Sequence, residues 1–181
     1  MIVKIENDIL LIEHFLSAEE CTNYINYSEY LGFERADVDF YGVRKQIDEL
    51  RTNERADIES QQIADDLWKN LSDYQLPVID QREAVGLSPL IRFYRYSGAQ
   101  KFNMHRDGRK RQLGLESRFT MLIYLNTVNQ GGETVFRKNG IKIQPQTGRC
   151  LLFAHKLWHS GTPVTGTEIK YVLRTDVFYS K

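Results

Sequence analysis

Residues 92–107 read RFYRYSGAQKFNMHRD: an alternating strand, a turn at Gly98, and a second short strand running into His105-Arg106-Asp107. On a strand, side chains two residues apart share a face, so the His105 imidazole and the Asp107 carboxylate can reach one metal ion together. One further nitrogen completes the two-His, one-carboxylate face that holds non-haem Fe(II) and leaves adjacent coordination positions open. His159 is the candidate for it. A His-x-Asp triplet is common, and a His near an Asp is more often a surface hydrogen bond, so the surrounding chain has to carry the case.

Downstream of about Leu87 the chain becomes short strands separated by glycine-bearing turns, placed near 89–97, 101–106, 118–125, 133–137, 141–144, 149–155 and 169–178. Repeated short strands with turn signals predict a sandwich or jelly roll, not a parallel sheet with crossover helices. In 118–125, Phe119, Met121, Ile123 and Leu125 share one face, and Thr120, Leu122 and Tyr124 the other. In 169–178, Tyr171, Leu173, Thr175 and Val177 oppose Lys170, Val172, Arg174 and Asp176. Arg92, Tyr94 and Tyr96 likewise oppose Ile91 and Phe93. A polar face on an otherwise buried strand fits a sheet with helices on one side and a ligand cavity on the other.

Upstream, Ile2–Ile12 reads as strand broken at Glu6-Asn7-Asp8. Ser17 and Glu20 form a capping box that starts a helix running to about Leu31 and stopped by Gly32. Residues 33–53 are polar and without clear periodicity, a short strand or a loop near the cavity mouth. Asp57 is expected to cap a second helix carrying Ile58, Ile63, Leu67, Trp68 and Leu71, so the first 75 residues or so read as mostly helical. The expected layout is a single domain over 1–181, with residues 1–86 supporting a catalytic core at 87–181.

Lys+Arg and Asp+Glu balance at 24 each, which gives no net-charge signal for nucleic acid or a membrane surface. The opening residues lack the pattern of a secretory leader, and no run approaches the roughly 18 apolar residues that span a bilayer. These features predict a soluble cytoplasmic protein. Cys21 and Cys150 are far apart and not in a Cys-x-x-Cys arrangement, which predicts reduced thiols with Cys150 in the core.

Two other histidine schemes compete. His155 and His159 have the i, i+4 spacing of a helical zinc site, but no Glu follows the first His and 151–154 reads as strand. His155 is also an alternative third ligand, although Ser160-Gly-Thr-Pro-Val after His159 suggests a turn at a cavity rim and favours the later residue. His14, alone at a strand end, reads as structural or solvent-facing.

The ordered segments RYSGAQKFNMHRD, FTMLIYLN, GGETVF and LLFAHKLWHSGTPVTGTEIKYVLRTDVFY resemble the catalytic domain of Fe(II)/2-oxoglutarate-dependent dioxygenases of the prolyl 4-hydroxylase type, over about half the chain. The resemblance implies a double-stranded β-helix (jelly roll) with N-terminal helices on its larger sheet. It also implies Fe(II), with 2-oxoglutarate and dioxygen as co-substrates and ascorbate as an optional reductant. His105, Asp107 and His159 match the iron ligands, and Tyr96 and Tyr124 match co-substrate contacts. Lys170 matches the basic residue that pairs with the distal carboxylate, one residue off the usual interval. Arg174, on the same strand face, offers a bidentate fork and remains the alternative, unless it pairs with Asp176 or Glu133. Three protein ligands on an octahedral iron leave room for a bidentate 2-oxo acid and dioxygen.

Arg106 is expected to point away from the metal, and Arg109-Lys110-Arg111 to be a solvated loop or an attractor of acidic substrate. The expected activity is hydroxylation of an unactivated C–H bond, with a prolyl or other protein side chain as the first candidate substrate. The alternatives are a free amino acid or other small molecule, and, in another class, a non-catalytic jelly-roll metal or ligand-binding module. No nucleic-acid or membrane partner is expected.

Overall fold

The computed structural model describes residues 2–40, 43–47 and 49–180. The strand that leads into the site, Leu90–Ser97, pairs antiparallel with Ile169–Tyr179 on one side and Glu54–Glu59 on the other. They belong to a large sheet in the order Ile2–Glu6, Ile9–Ile12, Cys150–Ala154, Leu115–Tyr124, Ile169–Tyr179, Leu90–Ser97, Glu54–Glu59, Glu34–Arg35. A smaller antiparallel sheet runs Lys142–Ile143, Thr134–Phe136, His159–Gly161, Phe102–His105. The two meet through aromatic rings: Phe136 lies edge-on to Phe153 at 5.2 Å and His159 edge-on to Phe153 at 4.5 Å. This is the jelly roll expected from the strand pattern, and every strand expected beyond residue 87 is present within a residue or a few at each end.

Cross-strand register explains why the polar face is buried. Phe93 stands opposite both Leu173 and Ala56, and Ile123 opposite Leu173, forming an apolar row on the outer side of the sheet. The helices cover that side: Ala18–Leu31 packs toward Glu54–Glu59, Gln61–Leu71 packs on Ala84–Leu87 and Leu90–Ser97, and Tyr24 and Tyr27 set their rings against Phe93. The alternate rows point inward: Arg92 opposite Arg174, which is opposite Leu122; Tyr94 opposite Val172, which is opposite Tyr124; and Tyr96 opposite Lys170. Because side chains alternate with a period of two, one register assigns hydrophobic residues to the helices and polar ones to the cavity.

The N-terminal part departs from the expectation of a mostly helical segment. Glu54–Glu59 is a strand of the large sheet, with Asp57 opposite Arg92 and in ion pairs with Arg55 and Arg92, so Asp57 is not a helix cap. Ser60 caps the second helix instead, its hydroxyl accepting from the Ile63 N–H at 3.2 Å. Pairing with an available sheet edge outweighed the helical spacing that began at Ile58. The first helix, Ala18–Leu31, has its expected capping box at Ser17 and Glu20 and ends at Gly32. The 33–53 segment holds the short strands Glu34–Arg35, Val38–Phe40 and Val43–Lys45; residues 41, 42 and 48 lie outside the described residues. Residues before 87 thus supply both ends of the large sheet's strand order as well as its helices. Cys21 and Cys150 are free and buried, and no helix among the described residues is long and apolar enough to cross a membrane.

The turn before Cys150–Ala154 is held to the N-terminal segment. Gly148 sits at φ +75°, and its carbonyl accepts from the Phe15 and Leu16 N–H groups at 2.8 and 3.2 Å. A Cβ there would lie 2.0 Å from the Leu16 carbonyl oxygen. Gly148→Ala is therefore expected to cost more than about 2 kcal/mol, from left-handed backbone strain plus a backbone clash. In thermal unfolding that corresponds to a midpoint lowered by roughly 5 °C or more. An unchanged midpoint would show that this junction is not a fixed contact.

Candidate metal centre

The smaller sheet brings the two histidines together. His159 is the direct cross-strand partner of His105, and their ring centroids are 4.3 Å apart. The pairing of Phe102–His105 with His159–Gly161 shifts register between His159 and Gly161, a bulge of the kind that re-aims side chains beside functional sites. Asp107 follows two residues after the strand ends, with Oδ1 3.8 Å from His105 Nε2 and Oδ2 3.8 Å from His159 Nε2. Among the described residues, His105, Asp107 and His159 are the only group of three or more His, Cys, Asp or Glu side chains whose donor atoms converge, all within 4.8 Å of one another.

The tautomers suit a metal. His105 Nδ1–H donates to the Asn103 carbonyl at 2.8 Å and His159 Nδ1–H to the Leu157 carbonyl at 3.1 Å. Each Nε2 therefore carries a lone pair and faces Asp107, the arrangement in which a backbone acceptor fixes ring orientation and raises ligand basicity. Burial, reinforced by the neighbouring His159, pushes His105 down to about 3, and burial also lowers His159. Both rings are neutral at pH 7, as ligation requires. Burial alone would raise Asp107, but the Arg174 guanidinium and the two histidines outweigh it and hold the carboxyl far below the usual range. The Thr120 hydroxyl donates to Asp107 Oδ2. Phe102 stacks on His105 at 3.5 Å, closing that side of the ring. The donor set, the tautomers and the charge all fit a divalent ion such as Fe(II).

Two cavities meet at this face. The inner one lies between the sheets and is lined by Tyr94, Tyr96, Phe102, Thr120, Leu122, Thr134, Phe153, Lys170, Val172 and Arg174 together with the three donors. At its wall Lys170 is 2 % exposed, donates to the Gly132 carbonyl at 2.6 Å, and stands 4.6 Å over the Tyr96 ring. Among the described residues no carboxylate lies within ion-pair distance of it, and burial pushes its amine down to about 7 against a weaker opposing effect of Glu133. The GGETVF motif serves this contact. Gly131 sits at φ +73°, and a Cβ there would meet the Pro163 carbonyl oxygen at 2.2 Å, so only glycine lets the Gly132 carbonyl reach Lys170. Tyr124 stands one layer back, fully buried, its hydroxyl donating to Thr134 at 2.7 Å, and Thr134 lines the cavity in its place.

Arg174 has a different setting. Its Nη2 forms ion pairs with Asp176 at 2.8 Å and Asp107 at 3.5 Å, and Asp176 also meets Lys110 at 2.9 Å and His155 Nε2 at 3.4 Å. His155 is thus buried beside Asp176 and is not among the converging donors. It lies in a turn after the Cys150–Ala154 strand, so it makes no helical zinc pair with His159. Arg106 stacks on Trp158 at 4.9 Å, away from the donors as expected, and exposed His14 is remote from the site in sequence and pairing. Sequence reasoning did not single out Thr120, Phe102, Asp176 or Arg51 as site residues. Thr120 and Asp176 were visible as members of the inward rows, whereas nothing in the aperiodic 33–53 segment marked Arg51.

Residues 91–175 match the model of the 2OG-Fe(II) oxygenase superfamily. A probable prolyl 4-hydroxylase 11 from Arabidopsis thaliana is 40 % identical over 65 residues, a match spanning 32 % of this chain and 22 % of that protein. The viral collagen prolyl hydroxylase of Paramecium bursaria Chlorella virus-1, solved with 2-oxoglutarate, is similar at TM-score 0.67 and 20 % identity, covering 96 % of each chain. A Trichoplax adhaerens prolyl hydroxylase, solved with a hypoxia inducible factor peptide, is similar at TM-score 0.71 and 20 % identity, covering 95 % of this chain and 84 % of that one. The matched residues 91–175 carry the paired histidines, Asp107 and Lys170, and this similarity to the 2OG-Fe(II) oxygenase superfamily implies Fe(II), 2-oxoglutarate and dioxygen.

Proposed function

We propose that this protein hydroxylates an unactivated C–H bond at the expense of 2-oxoglutarate, with His105, Asp107 and His159 holding Fe(II). The observation that carries the reading is the cross-strand pair His105–His159, both Nε2 lone pairs directed at Asp107, beside a chamber whose wall bears an unpaired buried lysine. Bound iron with its co-substrates supplies the oxidation, in which one oxygen atom of dioxygen enters the C–H bond and the other enters succinate as carbon dioxide leaves. The chain's own residues position the reactants. Lys170 is proposed to receive the distal carboxylate of 2-oxoglutarate, with Tyr96 beside it. Leu122, Val172 and Phe153 form apolar walls that keep water out. Arg174, already engaged by Asp107 and Asp176, is proposed to hold the metal-facing carboxylate in place. The backbones of Lys170 and Arg174 are roughly 13 Å apart along the strand, and Arg174 is already paired, so Lys170 is proposed as the main anchor.

For substrate, a prolyl or other protein side chain is the reading favoured by the relatives, which include hydroxylases of prolyl residues. The outer opening next to the donors is much roomier than the inner chamber, which supports a substrate larger than 2-oxoglutarate. The two buried thiols support a reducing compartment, proposed to be the cytoplasm.

Anaerobic addition of Fe(II) and 2-oxoglutarate is expected to give a weak visible charge-transfer band, and His105→Ala or Asp107→Ala to abolish both the band and succinate formation. Turnover surviving either change would refute the ligand assignment. A protein that bound metal but never 2-oxoglutarate would instead be a non-catalytic module of the same fold.

Lys170→Ala is expected to weaken 2-oxoglutarate binding by roughly ten- to a hundredfold, the loss of one charge-assisted pair in a desolvated site. Arg174→Ala should act mainly on stability, costing on the order of 3 kcal/mol because it leaves the buried Asp107 and Asp176 carboxylates without their shared guanidinium, Lys110 remaining on Asp176. A strong 2-oxoglutarate defect in Arg174→Ala with normal binding in Lys170→Ala would exchange the two roles.

The depressed amine gives a pH signature. Above pH 7 the free Lys170 is mostly neutral, and pairing with a carboxylate favours its charged form, so binding takes up a proton. Affinity should be flat below pH 7 in this group and fall by up to about tenfold per pH unit above it. Calorimetry at pH 8 in buffers of different ionisation enthalpy should detect that uptake in the wild type and not in Lys170→Met. Equal proton counts in the two would remove Lys170 from the anchor role.

A further inference from the structure

The outer cavity is far more basic than the balanced composition suggests. Cations line it on several elements, and the lining carboxylates are Asp37, which pairs with Arg55 at 2.8 Å, and the metal-facing Asp107. Lys110 and Arg174 are matched by Asp176 behind the wall. Four arginines are left with little or nothing. Arg51 is 4 % exposed, its guanidinium lies between the rings of Tyr94 and Phe102 at 4.5 and 4.4 Å, and its Nε donates to Asn53 at 2.7 Å. Its Nη2 is buried without a hydrogen-bond partner, and among the described residues no carboxylate pairs with it. Arg92 has a buried, unpartnered Nε and only a 3.7 Å contact to Asp57, which Arg55 already holds at 3.0 Å. At the rim, Arg106 rests on Trp158 with no carboxylate partner among the described residues. Arg109 reaches Glu116 only at 3.7 Å, while Arg118 holds that carboxylate at 2.7 Å.

A desolvated guanidinium without an anion is costly, so a site that keeps one is built for an anion that arrives with the ligand. That anion is not the carboxylate of 2-oxoglutarate assigned to Lys170, because Arg51 is separated from His105 by the Phe102 ring and lines the outer cavity, not the inner one. We propose that the substrate is an acidic peptide segment, with one carboxylate in the planar fork of Arg51 beside Arg92 and further carboxylates at Arg106 and Arg109. The reactive carbon then lies over the His105/Asp107/His159 face. Stacking of Arg51 between two rings fixes the plane of the guanidinium, which suits bidentate carboxylate recognition better than the mobile ammonium of a lysine. The spread of cations from the buried pair to the rim across a 500 Å³ opening favours several carboxylates on one chain over a single small acid. This inference rests on the hydroxylase reading above and specifies the substrate class for the same site.

The test titrates fluorescently labelled Glu-Glu-Pro-Glu-Glu, its neutral twin Gln-Gln-Pro-Gln-Gln, free L-glutamate as competitor, and a thymidylate pentamer onto the anaerobic Fe(II) and 2-oxoglutarate complex. The glutamate peptide should bind at least roughly tenfold tighter than the glutamine twin. That advantage should shrink between about 0.05 and about 0.5 M salt. Arg106→Gln and Arg109→Gln, both at the rim, should each weaken the glutamate peptide several-fold without changing 2-oxoglutarate affinity. Arg51→Lys, which keeps the charge but loses the fork, should remove most of the preference. Equal binding of the twin peptides, competition by free glutamate at the peptide's own affinity, tighter binding of the thymidylate, or a loss of 2-oxoglutarate affinity in the rim variants would each overturn the proposal. The charge-transfer band separates the two claims: its absence defeats the hydroxylase reading, whereas its presence with indifferent peptides defeats only this one.

Discussion

The antiparallel pairing of His105 with His159 is the constraint on which the rest of the site depends. Two imidazoles from strands more than fifty residues apart in sequence are brought side by side by backbone pairing. A slip of one residue would turn one ring out of the cavity, since strand side chains alternate. The flanking aromatic packing, Phe102 on His105 and Phe153 against His159, resists that slip and buries both rings enough to keep them neutral. The candidate metal site and the closure of the two sheets therefore rest on the same pairing, and the larger sheet, braced outside by the helices, supplies the opposite wall.

Burying so many ionisable groups requires their charges to be balanced locally. Asp107 and Asp176 lie on either side of Arg174, with Lys110 and His155 completing the cluster around Asp176. This arrangement keeps Asp107 ionised, because the Arg174 guanidinium, fixed by the buried Asp176 carboxylate, holds one Nη2 between the two acids. Lys170 is the contrasting case. Among the described residues its one hydrogen bond goes to a neutral carbonyl and it faces open space, so its charge is left for a ligand to stabilise. The difference between the two cations lies in their partners, not in their positions on the strand, since both face the same chamber.

Much of this was legible in the sequence. The inward rows Arg92/Tyr94/Tyr96, Thr120/Leu122/Tyr124 and Lys170/Val172/Arg174/Asp176 follow from period-two alternation, and the convergence of His105, Asp107 and His159 agrees with the order of motifs. What was not legible depends on partners distant in sequence. Asp57 looked like a helix cap because local spacing could not show that Leu90–Ser97 offers a free edge to Glu54–Glu59. His155 and His159 differ only in which faces Asp176 and which faces Asp107, a matter of one turn's path. Arg51 gave no periodic signal, and its significance comes from the Tyr94 and Phe102 rings that enclose it and from the acids it lacks.

The most direct measurement of the central claim is anomalous diffraction from crystals grown anaerobically with Mn(II), as a redox-stable substitute for Fe(II), and 2-oxoglutarate. The account predicts one metal peak ligated by His105 Nε2, Asp107 and His159 Nε2, with 2-oxoglutarate chelating it and its far carboxylate at Lys170 Nζ. A metal peak at His155, or a 2-oxoglutarate molecule whose far carboxylate pairs with Arg174 while Lys170 stays on the Gly132 carbonyl, would contradict it.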